Sequence, residues 1–171
     1  MTHPKPSRNP PRTLGIAAAA AALVLDQATK YWMLHVYDVA EQPPLHVAPF
    51  LDVLLSWNRG VSYSLLPANG EIARYALLGL QLAIIAVIAL LLRRARHWAS
   101  ALGFGLIVGG ALGNAADRLF RGAVADFFYL HTELPVGPLA NYVFNVADAF
   151  ITLGVVFVLF EQLFAPQEAQ A

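Results

Sequence analysis

Two aspartates of this chain stand in apolar surroundings. Asp126 lies in the segment VADFF, and Asp148 lies in the segment FNVADAF with no lysine or arginine three or four positions away. In such surroundings a carboxylate is favoured in its protonated form or shares a proton with a neighbour, which is the state that a general acid or base requires. If the two carboxyl groups meet, they share one proton and can activate water for peptide hydrolysis. Their spacing alone does not prove that they meet.

A second group of polar and charged residues lies in hydrophobic stretches. Asp26 and Lys30 are spaced i, i+4, so they can pair on one helix face. We interpret this pair as a structural ion pair, because a neutralised carboxylate is a poor base. Asn114, Asp117 and Arg118 follow one face of the helical segment GGALGNAADR. This face either caps and anchors a helix at a membrane interface or binds substrate.

Other catalytic chemistries lack their residues. The chain has no cysteine, which excludes disulfides, thiolate catalysis and cysteine metal sites. Its five histidines show no metal-ligand spacing, and the serines have no nearby His and Asp arrangement. No glycine-rich phosphate loop is present. We therefore expect neither a metal nor a cofactor.

The composition is that of a membrane protein. Hydrophobic residues make up 58% of the 171 residues and charged residues only 13%, which is too apolar for an ordinary soluble domain. A helix needs about 20 apolar residues to cross the hydrocarbon core, so the chain can hold four spans. The formal net charge is zero and the basic residues form no long run, so nucleic acid is not expected as a partner.

Four hydrophobic stretches predict the helices that must position the charged residues. We expect a single transmembrane domain over residues 14–164, with a disordered cytoplasmic segment 1–13 before it and a cytoplasmic tail 165–171 after it. The first stretch also resembles a cleavable signal peptide, but its continuation through Lys30 favours a retained helix. The expected spans are 14–36, 75–92, 98–119 and 142–164.

The distribution of basic residues predicts the orientation. Lysine and arginine are enriched near the N-terminus and in the cluster from Arg93 to Arg96, which marks these regions as cytoplasmic. Both termini then lie in the cytoplasm, and Asp126 lies outside. A helix that starts at Tyr142 would place Asp148 six residues beyond that start, roughly 9 Å below its outer end.

A short hairpin is predicted between the first two spans. Residues 51–57 and 61–65 are rich in residues that favour strands, and the segment Asn58-Arg59-Gly60 separates them. Gly60 can supply the left-handed conformation that such a loop favours. An irregular loop at the membrane interface is the alternative.

In this order on four hydrophobic stretches, the motifs resemble those of the lipoprotein signal peptidase family, also called signal peptidase II. The resemblance extends from Asp26 to Gly154. It departs from the family at residues 61–63, and the loop 131–141 carries no recognisable motif. The matching segments are Asp26 with Lys30, NRG at 58–60, GALGNAADR at 110–118, RG at 121–122, VADF at 124–127 and FNVAD at 144–148.

The resemblance implies an aspartic endopeptidase of the bacterial inner membrane, with a small β-structured platform outside the membrane. Its substrates would be prolipoproteins, cleaved before a cysteine that carries a diacylglyceryl group, near the outer face of the membrane. We expect a monomer that also contacts membrane lipids. Asp126 and Asp148 would be catalytic, and the residues that bind substrate or support the site would be Asn58, Gly60, Asn114, Asp117, Arg118 and Asn145.

Two other classes of protein compete with this interpretation. A proton-coupled carrier also uses carboxylates within its helices, but it should show inverted repeats or broken helices, and the sequence shows neither. A noncatalytic assembly protein could associate through the ridge of Gly105, Gly109 and Gly113. That function would leave Asp126 and Asp148 unexplained.

Overall fold

The computed structural model describes residues 11–60, 71–132 and 141–164. Within these ranges the chain forms four long helices and one four-stranded sheet. The elements are α1 (Pro11–His35), β1 (Leu45–Ala48), β2 (Leu51–Asn58), α2 (Glu71–Arg94), α3 (Trp98–Phe120), β3 (Val124–His131), β4 (Asn141–Phe144) and α4 (Val146–Phe164).

The first and fourth helices begin at residues other than those predicted. The first helix begins at Pro11, so residues 11–13, predicted to be disordered, are its first residues. Proline is favoured there because its fixed φ suits a helix start and its missing N–H is not needed. The fourth helix begins at Val146 and not at residue 142, because residues 141–144 form strand β4. Residues 1–10 and the tail 165–171 lie outside the described residues.

Helix α3 is the centre of the helical bundle. Most of its residues are buried, and α1, α2 and α4 all pack against it. The ridge of Gly105, Gly109 and Gly113 faces α1: a Cβ on Gly105 would lie 2.2 Å from the carbonyl oxygen of Gly15, and one on Gly109 would lie 2.3 Å from that of Ala19. The predicted close packing along this ridge is confirmed, and its partner is a helix of the same chain.

Three of the helices in the described ranges are long and apolar enough to cross a membrane. These are α2, α3 and α4, with mean hydropathies of 2.6, 1.4 and 1.8. Helix α1 has 25 residues but carries Asp26 and Lys30, both fully buried against the rest of the chain. Length and composition therefore support α2, α3 and α4 as spans directly. Whether α1 can also span depends on the burial of Asp26 and Lys30 against the other helices.

The sheet is antiparallel throughout and has the strand order β1-β2-β3-β4. β2 forms a hairpin with the preceding strand β1, with Leu45 opposite Val53, and its other edge pairs with β3, with Asn58 opposite Val124. The second strand of the predicted hairpin, residues 61–65, lies outside the described residues. Strands β1, β3 and β4 were not predicted individually, and β3 pairs with a strand that is distant in sequence.

The pleat of β3 separates the core from the polar face. Ala125 and Phe127 are fully buried and pack in one cluster with Met33 and Val39. Because successive side chains of a strand point to opposite faces, Asp126 points away from this cluster. The sheet thereby positions a single carboxyl group beside the ends of α3 and α4.

Candidate active site

A cluster of buried charges joins α1 to α3. The ammonium of Lys30 lies 2.9 Å from a carboxylate oxygen of Asp26 and 2.9 Å from one of Asp117. All three side chains are almost inaccessible to solvent. The predicted Asp26–Lys30 ion pair is present, but Asp117 shares its cation, which spacing along one helix could not reveal.

Further groups complete the coordination of this cluster. Arg121 forms an ion pair with Asp117, and Gln27 donates to Asp26 at 3.0 Å and to the carbonyl of Gly113 at 3.1 Å. The main-chain N–H of Ala147, at the start of α4, donates to Asp26 at 3.0 Å. Two carboxylates and two cations thus balance in charge, which offsets the cost of burying them.

Asn114 connects the buried charges to Asp148. Its Oδ1 accepts a hydrogen bond from Lys30 at 3.0 Å and another from Asn145 at 3.1 Å. Its Nδ2 donates to Oδ1 of Asp148 at 2.9 Å. Since Lys30 can only donate, its contact fixes which end of the Asn114 amide faces Asp148.

Asn145 and Asp148 form the N-terminal cap of α4. The side-chain oxygen of Asn145 accepts from the N–H of Asp148 at 3.1 Å, and Oδ2 of Asp148 accepts from the N–H of Asn145 at 3.1 Å. This is the reciprocal arrangement of a capping box. The prediction that Asp148 lies deep inside the fourth helix is therefore wrong: it stands in the first turn, two residues after Val146.

Asp126 meets the same asparagine from the sheet. Nδ2 of Asn145 donates to Oδ1 of Asp126 at 2.6 Å, so a single side chain contacts both aspartates. The pKa of Asp126 is raised to about 6, mainly by burial and to a lesser extent by the charge of Asp148, against the hydrogen bonds from Asn145 and Asn58, which lower it. Near neutral pH this carboxyl group can therefore both hold and release a proton.

Asn58, Gly60 and Arg118 lie at one side of the two aspartates. The Asn58 side chain accepts from the N–H of Gly60 at 2.8 Å, and Gly60 has a φ of +75°, as its predicted left-handed conformation requires. The guanidinium of Arg118 faces Gly60 and interacts with the charges of Asp126 and Asp148. The described chain thus brings every predicted site residue into one connected region.

Further polar side chains of this region, Gln27 of the buried cluster among them, were not predicted as site residues. Arg121 was noted only as part of a motif, although it pairs with Asp117. Gln81 of α2 accepts a hydrogen bond from Arg118 at 2.8 Å. A polar residue in the middle of an uncharged hydrophobic stretch was the available signal for Gln81, because such a group needs a partner inside a membrane.

The histidines of the sheet contact a different aspartate. His46 lies 2.7 Å from Asp52, His131 lies 3.4 Å from it, and the bond with His46 lowers the pKa of Asp52. In the part of the chain that the structure describes, no group of three His, Cys, Asp or Glu side chains is arranged to hold a metal ion.

Comparison with known proteins identifies relatives over nearly the whole chain. The family model described as signal peptidase II matches residues 18–164. The lipoprotein signal peptidase of Methylocella silvestris is 48% identical over 93% of this chain and 91% of its own length. Those of Beijerinckia indica and Rhodopseudomonas palustris are 45% and 41% identical, covering 93% and 94% of this chain and 92% and 98% of their own lengths.

Two solved structures described as bacterial membrane enzymes have the same fold. One has a TM-score of 0.67 over 90% of this chain and 95% of its own, and the other has a TM-score of 0.65 over 88% of each chain. Both are 24% identical to this chain. They support the arrangement of helices and sheet described above.

Proposed function

The chain belongs to the signal peptidase II family of aspartic peptidases, and from this membership we propose that it removes the signal peptide from bacterial prolipoproteins. The bond cleaved lies immediately before a cysteine that carries a diacylglyceryl group. The name shared by the relatives supports lipoprotein precursors as the substrate class. The observation that carries the proposal is the contact of Asn145 with both Asp126 and Asp148.

In the proposed mechanism, Asp126 and Asp148 act as one acid–base pair. Together they hold one proton, because two carboxylates that share a site resist double ionisation. The ionised carboxylate accepts a proton from water as the water oxygen bonds to the scissile carbonyl carbon, while the protonated carboxyl donates to the carbonyl oxygen. When the C–N bond breaks, the leaving nitrogen receives a proton from the pair, and one hydroxyl group of the tetrahedral intermediate returns its proton to the pair as the carboxyl group of the product forms. The pair is left with one proton, as at the start.

The remaining predicted site residues hold this pair and bind substrate in the proposed enzyme. Asn114 and Asn145 orient the two carboxyl groups through neutral amide donors, and among the described residues neither carboxylate forms an ion pair. Lys30, which forms the structural ion pair with Asp26, holds Asn114 in place through a hydrogen bond. Substrate contacts are assigned to Asn58, Gly60 and Arg118, and Asp117 supports the site through Lys30. No metal or cofactor takes part in this scheme.

We propose that the enzyme crosses the inner membrane four times, with α1 as the first span. α1 exposes Ile16, Val24 and Leu25 while it turns Asp26 and Lys30 toward α3. Its outward face is therefore as apolar as a lipid-facing surface needs to be, and its charges are paired inside.

Both termini of the proposed enzyme lie in the cytoplasm and the active site lies near the outer face. Arg93 and Arg94 end α2 next to the start of α3, which favours the cytoplasm for that side. Asp126 and Asp148 lie at the opposite ends of the helices, where α3 ends and α4 begins. The sheet then forms the platform outside the membrane, and the glycine ridge of α3, already covered by α1, leaves a monomer as the expected state.

Cleavage of a defined precursor tests the activity. Purified enzyme in detergent is incubated with one prolipoprotein in two forms, with and without the diacylglyceryl group, and the products are identified by mass spectrometry. We expect a signal peptide and a mature chain starting at the modified cysteine, and only from the modified form. Equal cleavage of both forms, or cleavage at another bond, would contradict the substrate assignment. An Asp126→Asn preparation controls for contaminating proteases.

Thiol labelling tests the orientation, since the chain has no cysteine of its own. Ala95→Cys and Arg59→Cys are each treated with a membrane-impermeant maleimide in intact spheroplasts. Position 59 should be labelled and position 95 should be protected until the membrane is permeabilised. The reverse pattern would overturn the orientation without affecting the proposed chemistry.

A further inference from the structure

Gln81 is a polar side chain in the middle of α2 that the proposed mechanism does not use. It lies in the apolar segment ALLGLQLAIIAV. Its amide nitrogen Nε2 donates to the carbonyl of Ala111 at 2.8 Å, and its amide oxygen Oε1 accepts from Nη1 of Arg118 at 2.8 Å. Both hydrogen-bonding ends of the amide are therefore occupied by α3.

The guanidinium of Arg118 has a second edge that faces away from Gln81. This edge, formed by Nε and Nη2, faces Gly60: a Cβ placed on Gly60 would lie 3.5 Å from Nη2 and 3.8 Å from Nε. Nε is buried and has no hydrogen-bond partner within the described residues. A buried donor without an acceptor is unfavourable, so its retention points to an acceptor that arrives with a ligand.

The charges around this edge restrict what the ligand can offer. The carboxyl groups of Asp126 and Asp148 act on Arg118 electrostatically. A carboxylate or phosphate bound there would lie beside two acidic groups that repel it. A carbonyl oxygen carries only partial negative charge and accepts two converging N–H donors, so it fits the edge better.

We infer that Gln81 is a positioning residue: by holding Nη1 of Arg118, it presents the Nε–Nη2 edge beside Gly60 to a main-chain carbonyl oxygen of the bound peptide. The inference rests on the proposed function for the identity of that acceptor. An arginine side chain has many rotamers, and fixing one end of its guanidinium reduces the freedom lost on binding. A neutral amide does this without adding a charge to the apolar face of α2.

Steady-state kinetics on the lipidated precursor test the inference. Gln81→Met has a similar length and removes both hydrogen bonds, so it should raise KM by about tenfold and leave kcat within about twofold. Gln81→Glu keeps the acceptor for Arg118 but loses the donor to Ala111, so its KM should remain within about threefold of the wild-type value. Leu82→Met, at an exposed position of the same helix, is the matched control.

A double-mutant cycle separates positioning from helix packing. In an Arg118→Met background, Gln81→Met should change kcat/KM by less than about twofold, because the edge that it orients is gone. If Gln81→Met is equally harmful in both backgrounds, or if Gln81→Glu is as impaired as Gln81→Met, the positioning role is wrong.

A spectroscopic measurement decides the contact even if the enzyme does not cleave lipoproteins. With 15N-labelled arginine, the Nε–H signal of Arg118, assigned by its loss in Arg118→Lys, should be distinct and slow to exchange in the wild type. In Gln81→Met it should shift and exchange faster with water. An unchanged signal would overturn the inference, whereas a normal signal change together with an inactive wild type would overturn only the proposed function.

Discussion

Asn145 and Asp148 each accept a hydrogen bond from the other's main-chain N–H, both at 3.1 Å, at the first turn of α4. The same two side chains contact the catalytic region: Asn145 donates to Asp126, and Asp148 accepts from Asn114. The start of the helix and the orientation of both proposed catalytic carboxyl groups are thus set by one reciprocal cap. Helix formation and site assembly are therefore coupled in α4.

This coupling predicts different effects for two substitutions of Asn145. Asn145→Asp keeps the acceptor that caps α4 but removes the donor to Asp126 and adds a third carboxyl group. We expect α4 to remain capped and kcat to fall at least about a hundredfold, because the donor to Asp126 is lost and a further carboxyl group lies beside the pair. Asn145→Ala should lose the cap as well, with about 1–2 kcal/mol less stability. Activity of Asn145→Asp near the wild-type level would show that the donor is not needed.

The raised pKa of Asp126 predicts the pH dependence of kcat/KM. Burial favours the protonated form, so the pKa rises to about 6. Below this value Asp126 keeps the proton that the pair shares, and above it that proton is lost. We expect kcat/KM to fall as the pH rises through about 6, with an apparent value that belongs to the pair. If kcat/KM instead rises through this pH range, the assignment of the shared proton to Asp126 is wrong.

Much of the helical architecture could be predicted from the sequence, because each span is a local apolar run with clear ends. The position of Asp148 was predicted wrongly, although the sequence carries a local signal for it. An asparagine followed three residues later by an acidic residue is a capping pattern, and Asn145 with Asp148 has it. This pattern predicts Val146 as the first helical residue and places Asp148 in the first turn of the helix.

Other features have no local signal and could be found only in the folded chain. The sharing of Lys30 between Asp26 and Asp117 joins two helices, and the pairing of β3 with β2 joins segments about as far apart in sequence. The face of β3 that carries Asp126 depends on this pairing, as does its contact with Asn145. Composition and motif order identified the residues, but contacts across the bundle determine how each one is held.

The surroundings of Gly113 and Gly79 predict opposite effects of glycine-to-alanine substitution at these two positions. A Cβ on Gly113 would lie 2.2 Å from Oδ2 of Asp26 and displace it from Lys30, so Gly113→Ala should destabilise the protein by about 3 kcal/mol or more. Gly79 on α2 has no atom within 4 Å of such a Cβ. Gly79→Ala should therefore stabilise by about 0.5–1 kcal/mol. Thermal unfolding in detergent compares them, and equal shifts would contradict the packing argument.

The shared cation predicts that Lys30 matters more for stability than Asp26. Asp26→Asn leaves Lys30 paired with Asp117, whereas Lys30→Met leaves two buried carboxylates facing each other. We expect a loss of about 3–5 kcal/mol for Lys30→Met and clearly less for Asp26→Asn. Combining them should recover part of the loss, because Asp117 then balances Arg121. If the double variant is less stable than Lys30→Met, the buried charges are not coupled in this way.

The final prediction concerns the two aspartates as a unit. Asparagine keeps the size of the side chain and an oxygen that can accept the bonds from Asn114 and Asn145, but it cannot carry the shared proton. Asp126→Asn and Asp148→Asn should therefore each remain folded and lose at least about a thousandfold in kcat, and the double variant should be hardly worse, since residues that act together are not additive. As a control, Asp52→Asn alters an aspartate that is paired with His46 on the same sheet, and its kcat should stay within about threefold of the wild-type value. Cleavage of the lipidated precursor measures kcat, and membrane levels with unfolding midpoints verify folding. Substantial activity in either single variant at normal protein level would remove the pair from the mechanism, because a carboxyl group that can be lost without effect neither takes the proton from water nor gives one to the substrate.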